Sequence, residues 1–380
     1  PEMVISIANQ AGWKEMSVRV GFAADMASRN AERTKAAAKE KAQSNLFPTG
    51  NFPSTSMDYY SDTSRTNFQA TVLGSDSLSE SHLHSLVLSS EVSKTPTHYV
   101  VLDRTLFYPE GGGQLGDQGS LGDVMVCDTM IENGTIYHLT DGPLPIGDVS
   151  CTVNWDRRRQ LMDHHTAVHI VGGSARTILG PHIWQAGSNK GARYARIDLT
   201  HFSRLSRDEI NRIEDLSNDV IAADYEVEKL VMPRAEADEL FGFELYQGGP
   251  PKSGHIRVIR IGDHDVQACG GTHHDKVGKI GELRIIRSSQ VQDGVERLQI
   301  VAGDTAREHA RQQERILSEA SEILGVQSDE LPKAVSKFFE EWKLQQKKIS
   351  SLEAEIVRLR TSGGGDEAVH RDGIRYVIME

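Results

Sequence analysis

Two pairs of side chains constrain this chain more than anything else in it: His165 with His169, and, far downstream, Cys269 with His273. Zinc takes thiolate sulfur and imidazole nitrogen in a tetrahedral array, so a fold that joins the two pairs holds one ion per chain. In His165-Thr166-Ala167-Val168-His169 the i, i+4 spacing sets both imidazoles on one face of a helix. That helix is expected to start near Asp163 as its N-cap and to run through Ile170, Val171 and Ile178. In Cys269-Gly270-Gly271-Thr272-His273 the two glycines break helical order and permit a tight turn. The His-Glu-x-x-His helix of zinc proteases needs a glutamate after its first histidine. Thr166 stands there, so the protease reading fails. Either pair alone is ordinary surface chemistry; both in one domain reverse that judgement.

Composition narrows the setting. The 380 residues suffice for two to four domains with sizeable cores. Three cysteines, Cys127, Cys151 and Cys269, are odd in number and lack paired spacing, which argues against a disulfide framework and favours a reducing cytoplasm. No run of eighteen apolar residues is present, so no membrane partner is expected. A net charge of −12 argues against indiscriminate nucleic-acid binding, DNA included. An RNA partner would need local basic patches, for which Arg157, Arg158, Arg159, Lys190, Arg193 and Arg196 are candidates. The plain alternative is that these cations are solvated or paired with some of the 54 acidic residues.

Pattern divides the chain into an α+β multidomain protein. Residues 1–62 read as helical, with apolar spacing at Met3, Val4, Ile7 and Ala8 and an Ala/Lys/Glu/Arg-rich stretch from Ala23 to Ala42, until Pro48, Gly50 and Pro53 interrupt. Over 63–155, short alternating runs separated by Gly- and Asp-rich turns predict a small antiparallel barrel. Its Gly111-Gly112-Gly113 run lacks the Lys-Ser/Thr and helix of a nucleotide loop, so turn formation explains it. From 156 to 303 helical and strand patterns alternate: Arg193–Leu199, Ile256–Ile261, Leu283–Ile286 and Arg297–Val301 as strands, Arg207–Ala222 as a helix. Helices on one side of a mainly antiparallel sheet are expected. Residues 304–362 predict a helical hairpin or coiled coil. Leu331, Val335, Phe338, Trp342, Gln345, Ile349, Leu352, Ile356 and Leu359 alternate by four and three. Over 363–380, Gly363-Gly364-Gly365 reads as a hinge, and Ile374–Ile378 as a strand without a partner in the chain, the start of a further domain.

The same residues carry a family resemblance. Arg157-Arg158-Arg159, His165-Thr166-Ala167-Val168-His169, Gln267-Ala268-Cys269-Gly270-Gly271-Thr272-His273 and Gln292-Asp293-Gly294-Val295-Glu296-Arg297 resemble the editing domain of alanyl-tRNA synthetase in its archaeal form. Upstream, Leu106 to Gly119, with Tyr108-Pro109-Glu110-Gly111-Gly112-Gly113-Gln114, resembles the barrel preceding that domain. The likeness is strong over about 68–303. One departure is Val168, where members often carry Thr.

The resemblance implies a zinc-dependent editing domain at 156–303 that hydrolyses Ser-tRNA(Ala) and Gly-tRNA(Ala). An alanine pocket cannot strongly exclude glycine, because one methyl is worth only about 1–3 kcal/mol, so a second, hydrolytic site restores accuracy. It further implies that Trp184-Gln185-Ala186-Gly187-Ser188 faces the pocket, with Gln185 sensing the serine hydroxyl and Thr166 a second polar candidate. Gly112, Gly113 and Gln114 would lie near the tRNA acceptor end. ATP and Mg²⁺ would serve only an aminoacylation core lying outside this chain, of which residues 1–62 would be a tRNA-recognition remnant, and the C-terminal region would form a homodimer. A free-standing editing protein is the nearer alternative. A non-catalytic, zinc-stabilised RNA-binding and dimerisation module is the other.

Overall fold

A computed structural model describes Phe47 and residues 52–86, 88, 91–247, 249, 254–363, 368–371 and 373–377. The helical pattern expected over 1–62 therefore lies outside the described residues, apart from Phe47 and 52–62. In that last stretch the chain forms a short strand, Ser56–Met57, paired with Arg104–Thr105, and a 3-10 turn, Asp58–Tyr60. The chain divides into two compact units, residues 1–309 and 310–380.

In the first unit, β1 (Asn67–Ser77), β2 (His98–Leu102), β3 (Gly119–Leu121), β4 (Val124–Glu132), β5 (Thr135–Thr140) and β6 (Gly147–Val153) close an antiparallel barrel in the order β1-β2-β5-β4-β3-β6. Alternation drives the closure. Phe68, Ala70 and Val72 share one face of β1 and meet Val100, Leu102, Leu121, Val126, Cys151 and Val153 inside. All three cysteines are free. Burial pushes the Cys151 thiol up to about 12, so it serves as an apolar filler.

The barrel runs straight into α1 (Trp155–Leu179). This corrects the expected start near Asp163. Asn154 is the N-cap, its side chain accepting from the Arg157 N–H at 3.1 Å. Asp163 is buried inside the helix, where it accepts from His274 Nε2 at 2.7 Å. The helix is buried nearly all round from Gln160 to Ala175, so it shows no polar face from which its start can be read. Gly173 sits mid-helix for a packing reason: any Cβ there would strike His264.

Beyond α1 come β7 (Gln185–Lys190), β8 (Ala195–Thr200), α2 (Arg207–Ala222), β9 (Val227–Pro233), β10 (His255–Ile261), β11 (Asp265–Ala268), β12 (Leu283–Gln292) and β13 (Val295–Ala302). The start of α2 is set by a complete capping box, Ser206 with Glu209. One sheet was expected; two form. A four-stranded antiparallel sheet, β12-β13-β8-β7, and a three-stranded one, β9-β10-β11, share a core. Ile197, Leu199, Leu298 and Ile300 from the first sheet and Ile259 and Ile261 from the second enclose Ala167, Val168, Ile170 and Val171 of α1. Burying a side chain of this size contributes about 1.5–3 kcal/mol, which is why α1 is pinned between the layers.

Three arginines tie α1 to its surroundings, two to the barrel region and one to the start of the helix at Asp304. Arg158 is fully buried and pairs with Asp117, also donating to the carbonyls of Thr63 and Leu106 at 3.1 and 2.6 Å. Arg157 meets Glu91 at 2.9 Å, and Arg159 pairs with Asp304. None of the three stands open as an RNA patch. For this run the paired alternative holds.

The helix α3 (Asp304–Leu324) runs from the first unit into the second, which holds α4 (Leu331–Gly363), β14 (Ala368–Arg371) and β15 (Ile374–Val377). The terminal strand has a partner after all: β14 and β15 pair antiparallel, with Arg371 opposite Ile374 and Gly373 at φ +78° in the turn. The Asp372-Gly373 dipeptide is a hairpin signal that the strand reading passed over. Of the expected hinge, Gly364 and Gly365 lie outside the described residues. Along α4 the heptad stripe keeps much of its surface, with Phe338 at 61% and Trp342 at 47% exposure.

Candidate metal centre

His165 and His169 project from one face of α1, and Cys269 and His273 flank the turn after β11. Their ligand atoms all lie within 4.8 Å of one another. Cys269 Sγ stands 3.3 Å from His165 Nε2 and 3.4 Å from His273 Nε2. Tetrahedral bonds of about 2.0 Å to nitrogen and 2.3 Å to sulfur place neighbouring donors roughly 3.5 Å apart. The four residues brought together by the fold can hold a metal ion.

Each histidine is oriented from outside. His165 Nδ1 lies 2.8 Å from Gln114 Oε1. That oxygen also accepts the Thr272 N–H at 3.0 Å, while Gln114 Nε2 donates to Thr272 Oγ1 at 2.8 Å. A backbone N–H can only donate, so Oε1 must face it, and His165 Nδ1 must carry the proton. His165 therefore turns an unprotonated Nε2 to the cage. His169 Nδ1 donates to Asp265 Oδ2 at 2.9 Å, the carboxylate–histidine arrangement that fixes tautomer and raises ligand basicity. Thr166, fully buried, meets His273 Nδ1 through Oγ1 at 3.2 Å.

The turn is clamped as tightly. Arg257 Nη1 donates to the carbonyls of Cys269 and Gly271 at 2.9 and 2.8 Å, and its guanidinium lies 4.9 Å from the centre of the Tyr60 ring. Tyr60 in turn donates to the Gly270 carbonyl at 2.7 Å. Gly271 has no positive φ; it is glycine because a Cβ would land on the His165 ring. Close approach, more than turn conformation, explains this residue.

The electrostatics fit metal ligation. Burial alone would raise the Cys269 thiol, but His165 and His273 together outweigh it and hold the thiol well below its ordinary value. The sulfur is thus available as thiolate. Burial pushes His165 down to about 4 and also holds His273 well below its usual range, which keeps both rings neutral. His169 moves the other way, to about 9, because Asp265 and Cys269 outweigh its burial. Three of the four ligands are buried, and Cys269 is partly buried.

Other expected residues fall elsewhere. Gln114 is buried and committed to His165 and Thr272, so it serves the ligand cage. Lys190 is buried, donating to the Gly112 carbonyl at 2.9 Å and Ser188 Oγ at 2.7 Å, which removes it from any surface patch. Burial lowers it to about 8. Gly113, at φ +79°, lies against Ser188, so the barrel loop and β7 touch directly. Gln185 opens β7, its N–H donating to Gln247 Oε1 at 3.2 Å. A register shift pairs it with buried Leu199, which turns it to the α1 side of the sheet. It stands about 16 Å along the strand from Lys190. Arg297 binds Asp198 through two bonds, 2.7 and 2.9 Å, and ties β13 to β8. Asp265, Arg257 and Tyr60 escaped the sequence reading. Asp265 alone carried a signal, a carboxylate four residues before Cys269 on the same alternating run.

A family model described as "Threonyl and Alanyl tRNA synthetase second additional domain" matches residues 256–299, which include Cys269 and His273. A second, "tRNA synthetases class II (A)", matches residues 1–157. Among similar curated proteins, the alanine–tRNA ligase of Methanopyrus kandleri is 42% identical over 314 residues, covering 81% of this chain and 33% of that protein. The alanine–tRNA ligases of Halorubrum lacusprofundi and Haloquadratum walsbyi are 39% and 38% identical, each covering 100% of this chain and 39% of their own length. The chain thus spans between a third and two fifths of the relatives it matches. No helix among the described residues is long and apolar enough to cross a membrane.

Proposed function

We infer that the metal centre hydrolyses wrongly charged tRNA, from the premise that this chain belongs to the alanine–tRNA ligase family. The substrates are Ser-tRNA(Ala) and Gly-tRNA(Ala), presented at the acceptor end. The observation that carries the reading is the doubly built cage: donors at tetrahedral spacing, with every histidine held by an outer partner. Zinc is the ion that an N₃S donor set favours, and when bound it supplies Lewis acidity toward a polar substrate atom. The protein does the rest. Gln114, Asp265 and Thr166 orient the rings, and the Arg257–Tyr60 clamp holds the turn. Gln185, turned to the α1 side, is assigned the serine hydroxyl, and Thr166 acts on the site through His273. Because Thr166 stands where a zinc hydrolase carries its glutamate base, the ion is assigned the positioning of the substrate, for which one protein ligand must yield its place, and proton transfer is left to another group.

Alanine joining to tRNA(Ala), with ATP and Mg²⁺, belongs to the whole ligase, as does a cytoplasmic location. Alignment of all of this chain with ligases favours a ligase segment over a free-standing editing protein. The closed four-ligand cage also supports a second reading, a zinc-stabilised RNA-binding module without hydrolysis. Release of serine from Ser-tRNA(Ala), measured with zinc-loaded and metal-stripped protein, separates the two. Hydrolysis lost with the metal is expected; none at any zinc content leaves the binding module. In the same assay Gln185→Ala should keep its zinc and change the serine-over-alanine ratio, since a site built to bond a hydroxyl discriminates strongly by it. An unchanged ratio returns Gln185 to a structural role.

A further inference from the structure

The face of the four-stranded sheet turned away from α1 carries a row of donors in register. Arg196 lies opposite Asn189 on one side and Gln299 on the other, and Gln299 lies opposite Arg287. One residue from each strand therefore forms a line across the whole sheet. Alternation fixes the direction: Ile197, Leu298 and Ile300 enter the core, so Arg196 and Gln299 point out. With Tyr194, Ser289 and Arg297 these residues line a polar cleft of about 420 Å³.

Three arginines share this cleft, and only one is neutralised. Arg297 is held by Asp198. Among the described residues neither Arg196 nor Arg287 has a carboxylate within salt-bridge reach. In a chain of net charge −12, two guanidiniums left uncompensated beside two amides and a hydroxyl form a local field opposite to the whole. The lining is rich in donors and holds no aliphatic side chain, so an apolar ligand has nothing to bury against. Forked N–H groups match phosphate oxygens, and the exposed ring of Tyr194 offers a stacking surface at the rim. The cleft and the ligand cage are linked through one strand. Asn189 and Lys190 are neighbours on β7, one facing the cleft and the other reaching the barrel loop whose Gln114 holds His165.

We propose that this cleft binds the phosphate backbone of the RNA whose acylated end enters the metal centre, with Arg196 and Arg287 taking phosphate oxygens. Asn189, Ser289 and Gln299 are secondary donors. The inference rests on the hydrolytic reading above only for the identity of the RNA.

The test uses the zinc-loaded chain and uncharged tRNA, with affinity measured by fluorescence anisotropy across a salt series. Arg196→Gln with Arg287→Gln should weaken binding by at least about tenfold near 0.1 M salt. It should also reduce the slope of log affinity against log salt by roughly 1.4–1.8, the expectation for two lost phosphate contacts. Hydrolysis of a small phosphate-free seryl ester should stay unchanged, and Arg196→Lys with Arg287→Lys should recover most of the slope. Unchanged affinity and slope in the Gln pair overturn the proposal. So does saturation of the cleft by inorganic phosphate without competition against tRNA, which would make it a small-anion pocket. If the parent hydrolyses no ester and the Gln pair still loses tRNA, the editing reading fails and the phosphate site stands.

Discussion

His169 illustrates how far one residue's chemistry is set by its neighbour. Its place on the helix gives direction, but Asp265 fixes which nitrogen faces the cage. Replacing Asp265 with Asn keeps all four ligands and removes the carboxylate. Zinc affinity should fall by about 10–100-fold, read by competition with a chromophoric chelator; an unaltered affinity would reduce Asp265 to a space-filling role. Glu110, in the barrel loop, supplies a pH test. Burial, with Asp128 nearby, raises its carboxyl to about 7. An acid whose folded value lies above its unfolded value binds more protons when folded. Stability is therefore fully present below the unfolded value near 4.5 and is lost as pH climbs toward 7. Glu110→Gln should remove that decline, so the urea midpoint of the variant should gain on the parent between pH 5 and pH 8. A constant difference across that range would mean that Glu110 is solvated.

At the scale of elements, the join between barrel and α1 rests on a buried charge. Arg158 and Asp117 are each 1% exposed, and the guanidinium also satisfies two backbone carbonyls. Arg158→Met strands the Asp117 carboxylate in the interior, which typically costs about 3–5 kcal/mol. Urea unfolding should show that loss, and Arg158→Met with Asp117→Leu should recover a large part of it because no orphan charge remains. Equal losses in the single and double variants would shift the cause to packing. The three consecutive arginines thus look in sequence like a surface patch and act in the fold as three separate ties, to Glu91, Asp117 and Asp304.

For the molecule as a whole, the open question is what covers α4. Its stripe of Val335, Phe338, Trp342, Ile349, Leu352, Ile356 and Leu359 retains about half or more of its exposure along a helix of 33 residues. Apolar surface in a sustained heptad stripe favours pairing with another helix. We expect reversible self-association at micromolar concentration, detected by sedimentation, which Ile349→Asp with Leu352→Asp abolishes. A strictly monomeric parent would assign any dimer of the whole ligase to other segments.

What the sequence determined by itself was local and periodic. The i, i+4 histidines, the Cys-Gly-Gly-Thr-His turn, the alternation of the barrel strands and the helical spacing of α2 follow from spacing, and spacing is a property of a short segment. The order of the motifs also sufficed to bring out the family. The start of α1 was not legible, because a helix buried on every side has no periodic face to mark its end. Nor were the outer partners. Gln114 reaches His165 from the barrel loop, and Tyr60 reaches Gly270 from far upstream. Gly271 is required by the ring it touches, and Lys190 is buried because the barrel loop closes over it. The row from Asn189 to Arg287 exists only once four strands are in register. Each of these depends on which distant segments meet, and only the tertiary packing decides that.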